Sequence, residues 1–410
     1  MNEDYARKNG ATAPRPLTRS SNGKHGAAAS GPMPPFSHEH EDLRASIRRF
    51  VETELTPNAQ RWEDDKWFPD EVFGKLAAHG FLGLKFPEAL GGQGGDHLHD
   101  AVFTEELARC GSGGLAAGIG AHVGIASPPV FKFGTDDQLE RYLRPSIAGT
   151  SIGALGITEP DAGSDVASIR TKATAVDGGW VLNGSKMFIT NGVRADFMVT
   201  ACKTTADGGH GGLSFFIVDT DQPGFTAEKI DKLGWDASDT ALIALDDVFV
   251  PTENLLGGMN EGFKLIMANF QWERLLMAPG AVAAMQHAFD RTLRFALERT
   301  AFGRPIGTFQ VTRHKFAEMA TSIEAGRTLT YHALRLFHEG HDATREVTMA
   351  KLVTQRAAFD LMDECLQIHG GAGYMREYGV ERWARDARLG PIGGGTDEIM
   401  KEILGRQLGL

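Results

Sequence analysis

Glu273 is a carboxylate in an otherwise apolar stretch of helical spacing, between Asn269 and Gly280. Its neighbours three and four positions away are Phe270, Leu276, Met277 and the polar Asn269. An apolar environment disfavours the ionised form of a carboxyl group and makes the carboxylate a stronger base. We therefore expect Glu273 to remove a weakly acidic proton from carbon. A carboxylate in this position is also commonly paired with a basic neighbour, and that alternative stays open.

Two further patterns place polar and aromatic side chains where a flat ligand could bind. Thr158 and Ser164 flank a Pro/Gly turn in the segment 155–165, where hydroxyls and backbone amides can donate to a ligand or satisfy the turn itself. Phe188 and Thr190 lie two apart in a strand pattern. Their side chains should share one face and could contact one ring, although a core Phe beside a Thr is the commoner arrangement.

The elements that must position these residues change in type along the chain. Residues 39–133 space apolar positions at three and four, the helical period, with interruptions at prolines and glycines. Strand patterns follow between about 153 and 251, with a β-hairpin predicted around the turn Asn183-Gly184-Ser185 and another strand at Leu213–Val218. Helical patterns return after Gly262, most clearly at Ala281–Leu297 and Val311–Glu339, with no further strand expected.

This order of helices, strands and helices predicts an α+β fold, not an alternating doubly wound sheet. We place an N-terminal helical domain at residues 37–152, a middle β domain resembling a barrel or sandwich at 153–258, and a C-terminal helical bundle at 259–410. The polar, small-residue-rich segment 1–36 is expected to be a disordered tail. No G-x-G-x-x-G motif links a strand to a helix, so a Rossmann nucleotide site is not predicted.

Composition excludes several classes of function. A net charge of −11 without a basic run argues against nucleic acid as a partner. No apolar run is expected to reach the roughly 20 residues needed to span a bilayer, so membrane insertion is not expected. Three widely spaced cysteines, Cys110, Cys202 and Cys365, indicate neither a disulfide framework nor a zinc site with the usual Cys spacing. A cytoplasmic, reducing location fits this cysteine usage.

Three motifs together resemble the acyl-CoA dehydrogenases, FAD enzymes that desaturate acyl thioesters. They are Leu155–Asp165, Lys186–Asn191, and the C-terminal stretch from Gln367-Ile368-His369-Gly370-Gly371 to Gly394-Gly395-Thr396. The similarity extends over about residues 38–410 and implies that FAD binds between the β domain and a C-terminal four-helix bundle, partly across a subunit interface.

The resemblance assigns roles to individual residues. Thr158 would contact the flavin ring, Ser164 the pyrophosphate region and substrate, Phe188 the flavin face, and Thr190 the flavin nitrogen that receives hydride. The FAD diphosphate and adenosine side would be completed by Arg299, Phe302, Gln310, Gln367, Gly370, Gly371, Thr396 and Glu398. Many family members have tryptophan at position 188 and threonine at position 301, where this chain has Phe188 and Ala301.

In many members of this family the residue before the C-terminal Gly-Thr is the catalytic glutamate. This chain has Gly394 there. The segment around Glu273 instead resembles the branch with isovaleryl-CoA and long-chain dehydrogenases, which carries its base on the earlier helix. The substrate site is expected to include Ser164, Phe270, Arg274, Gly394 and Gly395, and the missing side chain at Gly394 is expected to leave room for a medium, long or branched acyl chain.

The resemblance implies dehydrogenation of an acyl-CoA to the trans-2-enoyl thioester, with electron-transfer flavoprotein as acceptor and a homo-oligomer, usually a tetramer. Three alternatives remain from the sequence: an acyl-CoA oxidase, an enzyme acting on a carrier-protein thioester, and a non-catalytic flavin or acyl-CoA binding protein. Glu273 argues against the last of these, because it offers a base in place of the one missing at Gly394.

Overall fold

A computed structural model of the chain describes residues 32–205 and 209–410, so most of the predicted tail at 1–36 lies outside the described residues. The N-terminal part is helical, as predicted. Its helices are α1 His38–Phe50, α2 Thr56–Asp64, α3 Glu71–Ala78, α4 His97–Leu107, α5 Gly113–Gly120, α6 Ser127–Phe133, α7 Asp136–Gln138 and α8 Arg144–Ile147, with π-helical turns at Val51–Leu55, Ala121–Ala126 and Leu139–Leu143.

The stretch Gly113–Phe133, which contains α5 and α6, is apolar and long enough to cross a membrane, a property that the sequence pattern had not revealed. It is 21 residues long with a mean hydropathy of 1.2, and 67% of its most apolar window is buried inside the protein. A core helix meets the same criteria, and this degree of burial is what a core helix shows.

The middle of the chain forms a mixed sheet. Its strands are β1 Gly153–Gly156, β2 Lys172–Val176, β3 Gly179–Thr190, β4 Phe197–Lys203, β5 Leu213–Asp219, β6 Phe225–Lys229, β7 Thr240–Pro251 and β8 Leu255–Leu256. They follow the order β6-β7-β3-β2-β4-β5-β8, and β1 pairs in parallel with β4. β4 and β5 are buried along nearly their whole length, as expected for strands covered on both faces.

The predicted hairpin at Asn183-Gly184-Ser185 is wrong. This segment lies inside the single strand β3, and the turn that joins β2 to β3 lies at Asp177-Gly178. Gly184 marks a register shift against β7, and a Cβ there would lie 2.6 Å from the Thr171 Cα. The glycine therefore serves a β-bulge and a close backbone approach, which produce the same sequence signal as a turn.

The C-terminal region is helical and carries three long helices. Its helices are α9 Gly262–Glu298, α10 Gln310–His338, α11 Thr344–His369, α12 Val380–Ala387 and α13 Asp397–Gln407. Two short strands, β9 Thr300–Ala301 and β10 Arg304–Pro305, form a small hairpin after α9, so the expectation of no further strand was wrong. The predicted α+β class, with helices on either side of a β region in the sequence, is confirmed.

Helix α9 connects the three parts of the structure. Leu265 and Ile266 near its start pack into the sheet core, Trp272 and Leu275 pack with the N-terminal helices, and Val282 and the residues after it pack in the C-terminal bundle. The helix continues through Pro279, so it begins well before the Ala281 start indicated by its clearest pattern. Glu273 is carried on this helix, between the sheet and the bundle.

Candidate active site

Glu273 has the surroundings expected of a base. Its Oε2 atom is buried and has no hydrogen-bond partner within the described ranges. Burial raises the pKa of the Glu273 carboxyl to about 7, and the positive charge of Arg274 offsets part of this effect. No ion pair of Glu273 occurs among residues 32–205 and 209–410, so the alternative of a paired structural carboxylate finds no support.

Arg274, the neighbour of Glu273, is directed to the glycine loop that precedes α13. Its Nε donates to the Gly394 carbonyl at 3.2 Å, and its guanidinium lies 5.4 Å from the centre of the Phe270 ring. The Lys351 ammonium, from α11, donates to the Gly395 carbonyl at 2.6 Å. The Gly394-Gly395 backbone is therefore held by two cationic side chains, one from α9 and one from α11.

Gly394 lies over the face of α9 that carries Glu273. A Cβ added at Gly394 would lie 2.5 Å from the Met277 Sδ, and Met277 is one helical turn beyond Glu273 on the same face. The expectation that Gly394 leaves free volume is thus not met as stated, because the Met277 thioether fills the space beside the glycine. Met277 is flexible and can yield to a ligand.

A structural prediction follows from the backbone at Gly394, whose φ is +63°. We expect Gly394→Ala to lower the free energy of unfolding by about 1–3 kcal/mol, because the methyl group meets Met277 and the left-handed backbone strains any L side chain. The matched control is Gly393→Ala, whose Cβ would have only ordinary contacts, the nearest at 3.7 Å. Chemical denaturation of both variants checks this, and equal stability of the two would contradict it.

The loop that carries Thr158 is fixed to strand β3 by a buried ion pair. The Lys186 ammonium is fully buried and donates to the Glu159 carboxylate at 2.8 Å and to the Ile157 carbonyl at 3.2 Å. Glu159 also accepts from the backbone N–H of Thr171 at 2.9 Å. The Met187 N–H donates to the Thr158 carbonyl at 2.8 Å. Thr158 is therefore held beside the segment that contains Phe188.

Phe188 departs from regular strand geometry. Its φ is +63°, and the pairing with β7 shifts register between Lys186 and Ile189. Its side chain is 61% exposed, whereas Ile189 is buried. Phe188 and Thr190 are expected to point to the same face of the strand. Both are more exposed than Ile189 between them, which is consistent with that expectation. A strained, exposed aromatic residue is typical of a ligand site.

These residues fit a flat cofactor such as a flavin. The hydroxyls of Thr158, Ser164 and Thr190 make no hydrogen bond to other parts of the described chain, so they are available to a ligand. Thr158 and Thr190 are partly buried, and Ser164 is exposed. Unused hydroxyls next to an exposed aromatic ring match the hydrogen-bonding edge and apolar face of an isoalloxazine.

The Thr158 loop also packs with α9, the helix that carries Glu273. Ile157, Ala162 and Val166 share a hydrophobic cluster with Leu265 of α9, and Phe270 packs on the same cluster. Phe270 lies one turn before Arg274, which contacts the Gly394-Gly395 loop. The structure therefore brings the Thr158 loop and the Gly394-Gly395 loop to nearby positions on α9.

The residues expected on the diphosphate and adenosine side form a different, more exposed set. Arg299, Phe302 and Gln310 lie on or beside the β9–β10 hairpin, and Phe302 is 96% exposed with a φ of +51°. Gln367, Gly370 and Gly371 are exposed at the end of α11. Thr396 caps α13 by accepting from the Ile399 N–H, and Glu398 is exposed in its first turn. Within the described residues, no hydrogen bond joins the Arg299 segment to the Thr158 loop.

Several residues that shape the site gave no usable sequence signal. Lys186 and Lys351 are buried, although lysine is mostly a surface residue, and Met277 looked like an ordinary apolar position of α9. Burial lowers the pKa of Lys351 to about 8. Only the three-dimensional contacts show that these side chains organise the two loops.

Comparison with known proteins gives one consistent result. Family models for the N-terminal, middle and C-terminal domains of acyl-CoA dehydrogenase match residues 37–150, 154–248 and 260–409. A probable acyl-CoA dehydrogenase of Bacillus subtilis is 40% identical over 91% of this chain and 98% of its own length. The isovaleryl-CoA dehydrogenase of Solanum tuberosum is 37% identical over 91% of both chains.

The long-chain specific acyl-CoA dehydrogenase of Mus musculus is 38% identical over 91% of this chain and 87% of its own. Among solved structures, a probable acyl-CoA dehydrogenase from Mycobacterium abscessus is 44% identical with a TM-score of 0.88, over 90% of this chain and 98% of that one. A chain in a structure described as the electron transferring flavoprotein of Acidaminococcus fermentans is 35% identical with a TM-score of 0.89, over 92% and 99%.

Proposed function

Because the chain belongs to the acyl-CoA dehydrogenase family of FAD-dependent oxidoreductases, we propose that it converts an acyl-CoA to the trans-2-enoyl-CoA with Glu273 as the base. The observation that carries this proposal is the buried, unpaired Oε2 of Glu273 on α9, next to a loop that has Gly394 and no carboxylate of its own. A thioester α-proton is weakly acidic, and a base with a raised pKa is suited to removing it.

When bound, FAD supplies the acceptor for the β-hydrogen that leaves as hydride. Thr158, Phe188 and Thr190 would hold its ring, and Ser164 its pyrophosphate region. Glu273 accepts the α-proton at a carboxylate oxygen. Fixing the base and the cofactor site on the rigid α9 and β3 limits the motion needed to reach a reactive geometry, an orientation effect that contributes several kcal/mol.

Arg274 and Lys351 hold the Gly394-Gly395 loop. The two backbone N–H groups of this loop have no backbone partner in the described part of the chain and could face a thioester oxygen. Preorganised amide donors stabilise negative charge that develops on such an oxygen during proton removal. In this role Arg274 and Lys351 are positioning residues, since each donates to a loop carbonyl. Phe270, which packs on the cluster of the Thr158 loop and lies 5.4 Å from the Arg274 guanidinium, would contact the acyl chain.

The substrate is proposed to be a medium, long or branched acyl-CoA. Similarity to long-chain specific and isovaleryl-CoA dehydrogenases supports this range. The flexible Met277 beside Gly394 supports it as well, because a thioether can adapt to acyl groups of different shape. Likeness to a chain from an electron transferring flavoprotein structure supports such a flavoprotein as the electron acceptor.

A homo-oligomer, with a tetramer as the working assignment, would complete the cofactor site. Phe302, Tyr374 and Met375 are exposed apolar side chains near Arg299 and Gln367 in the sequence. Exposed aromatic residues beside proposed phosphate-binding residues favour coverage by a second copy. The three cysteines are free and buried, which supports a reducing compartment such as the cytoplasm.

The raised pKa of Glu273 predicts how the reaction depends on pH. Bleaching of the flavin after anaerobic mixing with straight and methyl-branched acyl-CoAs should slow as the pH falls through about 7, because the protonated carboxyl cannot accept a proton. Stopped-flow traces between about pH 6 and pH 8 measure this.

The exposed Glu318→Gln variant, on α10, is the control and should keep the same profile. A bleaching rate that does not change with pH over this range, in a reaction shown by an α-deuterium isotope effect to be limited by proton removal, would contradict the assignment of the base.

A further inference from the structure

Three histidines and one aspartate meet at the junction of α1, α4 and α10, away from the residues proposed for catalysis. His40 belongs to the first turn of α1, Asp96 caps α4, His99 lies in its first turn, and His338 ends α10. One ligand atom each from His40, Asp96 and His99 lie within 4.8 Å of one another. The His338 Nδ1 lies 3.7 Å from the second Asp96 oxygen.

His40 has a nitrogen for which the described protein provides no partner. The residue is 6% exposed, and its buried Nε2 makes no hydrogen bond. This atom points towards the Asp96 carboxylate, at 4.0 Å from Oδ1, which is too far for a hydrogen bond. A buried, unpaired imidazole nitrogen is costly unless another group binds to it.

The remaining contacts fix the rings as they are fixed in metal sites. The His99 Nδ1 lies 2.8 Å from Asp96 Oδ1, and the His40 Nδ1 lies 2.8 Å from the Ser37 hydroxyl. The same Nδ1 atoms also face the backbone N–H groups of Asp96 and Ser37, each at 3.1 Å. An ion bound at the two Nε2 atoms would select the tautomer with the proton on Nδ1, which then donates to Asp96 Oδ1 and to the Ser37 hydroxyl, as the second ring nitrogen of a histidine ligand commonly does.

We propose that His40, His99, Asp96 and His338 form a site for a divalent transition metal of the Zn²⁺ class. Imidazole and carboxylate ligands suit zinc. Tetrahedral zinc, with bonds of about 2.0–2.1 Å, needs ligand atoms roughly 3.4 Å apart. The ligand atoms of His40, Asp96 and His99 lie within 4.8 Å of one another, so small side-chain rotations would bring these three to that spacing. His338, whose Nδ1 lies 3.7 Å from Asp96 Oδ2, would complete the set. The exposed side of His338 gives the ion a path from solvent.

The site would be structural, because it joins three helices that are distant in sequence. It also adjoins the support of the proposed base. His97, between Asp96 and Leu98, packs edge-on against the Trp272 ring with 4.6 Å between ring centres, and Trp272 precedes Glu273. A bound ion would hold the start of α4, and with it this contact. It would stabilise only the folded chain, since the ligands come together on folding.

The test uses the FAD-loaded, chelator-treated protein and zinc chloride alone. Calorimetric titration should show one Zn²⁺ bound per chain, and zinc should raise the midpoint of thermal unfolding. The double variant His40→Ala/His99→Ala should bind zinc at least about 100-fold more weakly. His332→Ala, which removes an exposed histidine from the same helix α10, should bind as the wild type does.

Flavin absorbance per chain establishes that the variants are folded. If the double variant loses its flavin, His338→Ala is used in its place and should bind zinc about 10-fold or more weakly than the wild type. Zinc that binds at less than one equivalent, or with equal affinity to wild type and the ligand variants, would overturn the proposal. Because zinc binding and unfolding are measured without substrate, their outcome is separate from that of the proposed dehydrogenase activity.

Discussion

Glu273→Gln is expected to lower turnover by about 10²- to 10⁴-fold while leaving FAD bound. Glutamine has the shape of the protonated carboxyl but cannot accept the α-proton. Thr158, Phe188 and Thr190, which we propose to bind the flavin, lie on other elements, so the flavin content per chain should not change. Steady-state assays with acyl-CoA and an artificial electron acceptor measure the loss.

The same substitution should stabilise the protein above pH 7. The folded state raises the pKa of Glu273 from 4.5 to about 7, so the wild type retains the full stability contributed by the neutral carboxyl only below about pH 4.5 and loses it as the pH rises through about 7. At pH 8 the wild type carries a buried charge that the variant lacks, a difference of up to about 3 kcal/mol.

Loss of activity together with a gain in stability at pH 8 distinguishes a buried base from a structural carboxylate, whose removal destabilises the fold. Denaturant unfolding at about pH 5 and pH 8 measures the difference between the two proteins. The exposed Glu318→Gln variant, on α10, is the control and should show neither effect. A Glu273→Gln protein that is less stable than the wild type at both pH values would contradict this account of the site.

Lys186→Met should lower the free energy of unfolding by about 3–5 kcal/mol, because it leaves the Glu159 carboxylate buried without its cation. It should also loosen the Thr158 loop, which Lys186 holds through Glu159 and the Ile157 carbonyl. We therefore expect less FAD per chain after purification. Unfolding curves and the ratio of flavin to protein absorbance measure the two effects.

The exposed Lys172→Met, on neighbouring strand β2, is the matched control and should change stability by less than about 0.5 kcal/mol. Lys186→Met/Glu159→Gln should recover a large part of the lost stability, since the unpaired charge is then absent. If Lys186→Met proves as stable and as rich in flavin as Lys172→Met, the ion pair does not organise the loop.

The sequence predicted the arrangement of the fold because its periodicities are long and change sharply between regions. Leu213–Val218 is strand β5, as predicted, and α9 and α10 contain the two clearest helical patterns. Local sequence patterns gave wrong predictions where the same residue types were required by tertiary contacts. Gly184 gave the signal of a turn because a bulge and a close approach to Thr171 also favour glycine. Helix α9 continues through Pro279 because packing on both sides of the proline stabilises the helix.

The site was predictable to the extent that it depends on residues near one another in the chain. The apolar environment of Glu273 follows from its neighbours on one helix, and its raised pKa agrees with that pattern. Contacts between distant residues were not predictable, including Lys186 with Glu159 and Lys351 with the Gly395 carbonyl. The same holds for Met277, whose contact with Gly394 replaced the expected free space.

The central claim is that proton removal depends on Glu273 and on no residue of the Gly394 loop. Anaerobic mixing of the FAD-loaded Glu273→Gln protein with saturating acyl-CoA tests it most directly, with the flavin spectrum followed in time. The account predicts a small spectral change on binding of the acyl-CoA and no bleaching on the timescale of the wild type. Bleaching at the wild-type rate would show that another group removes the proton.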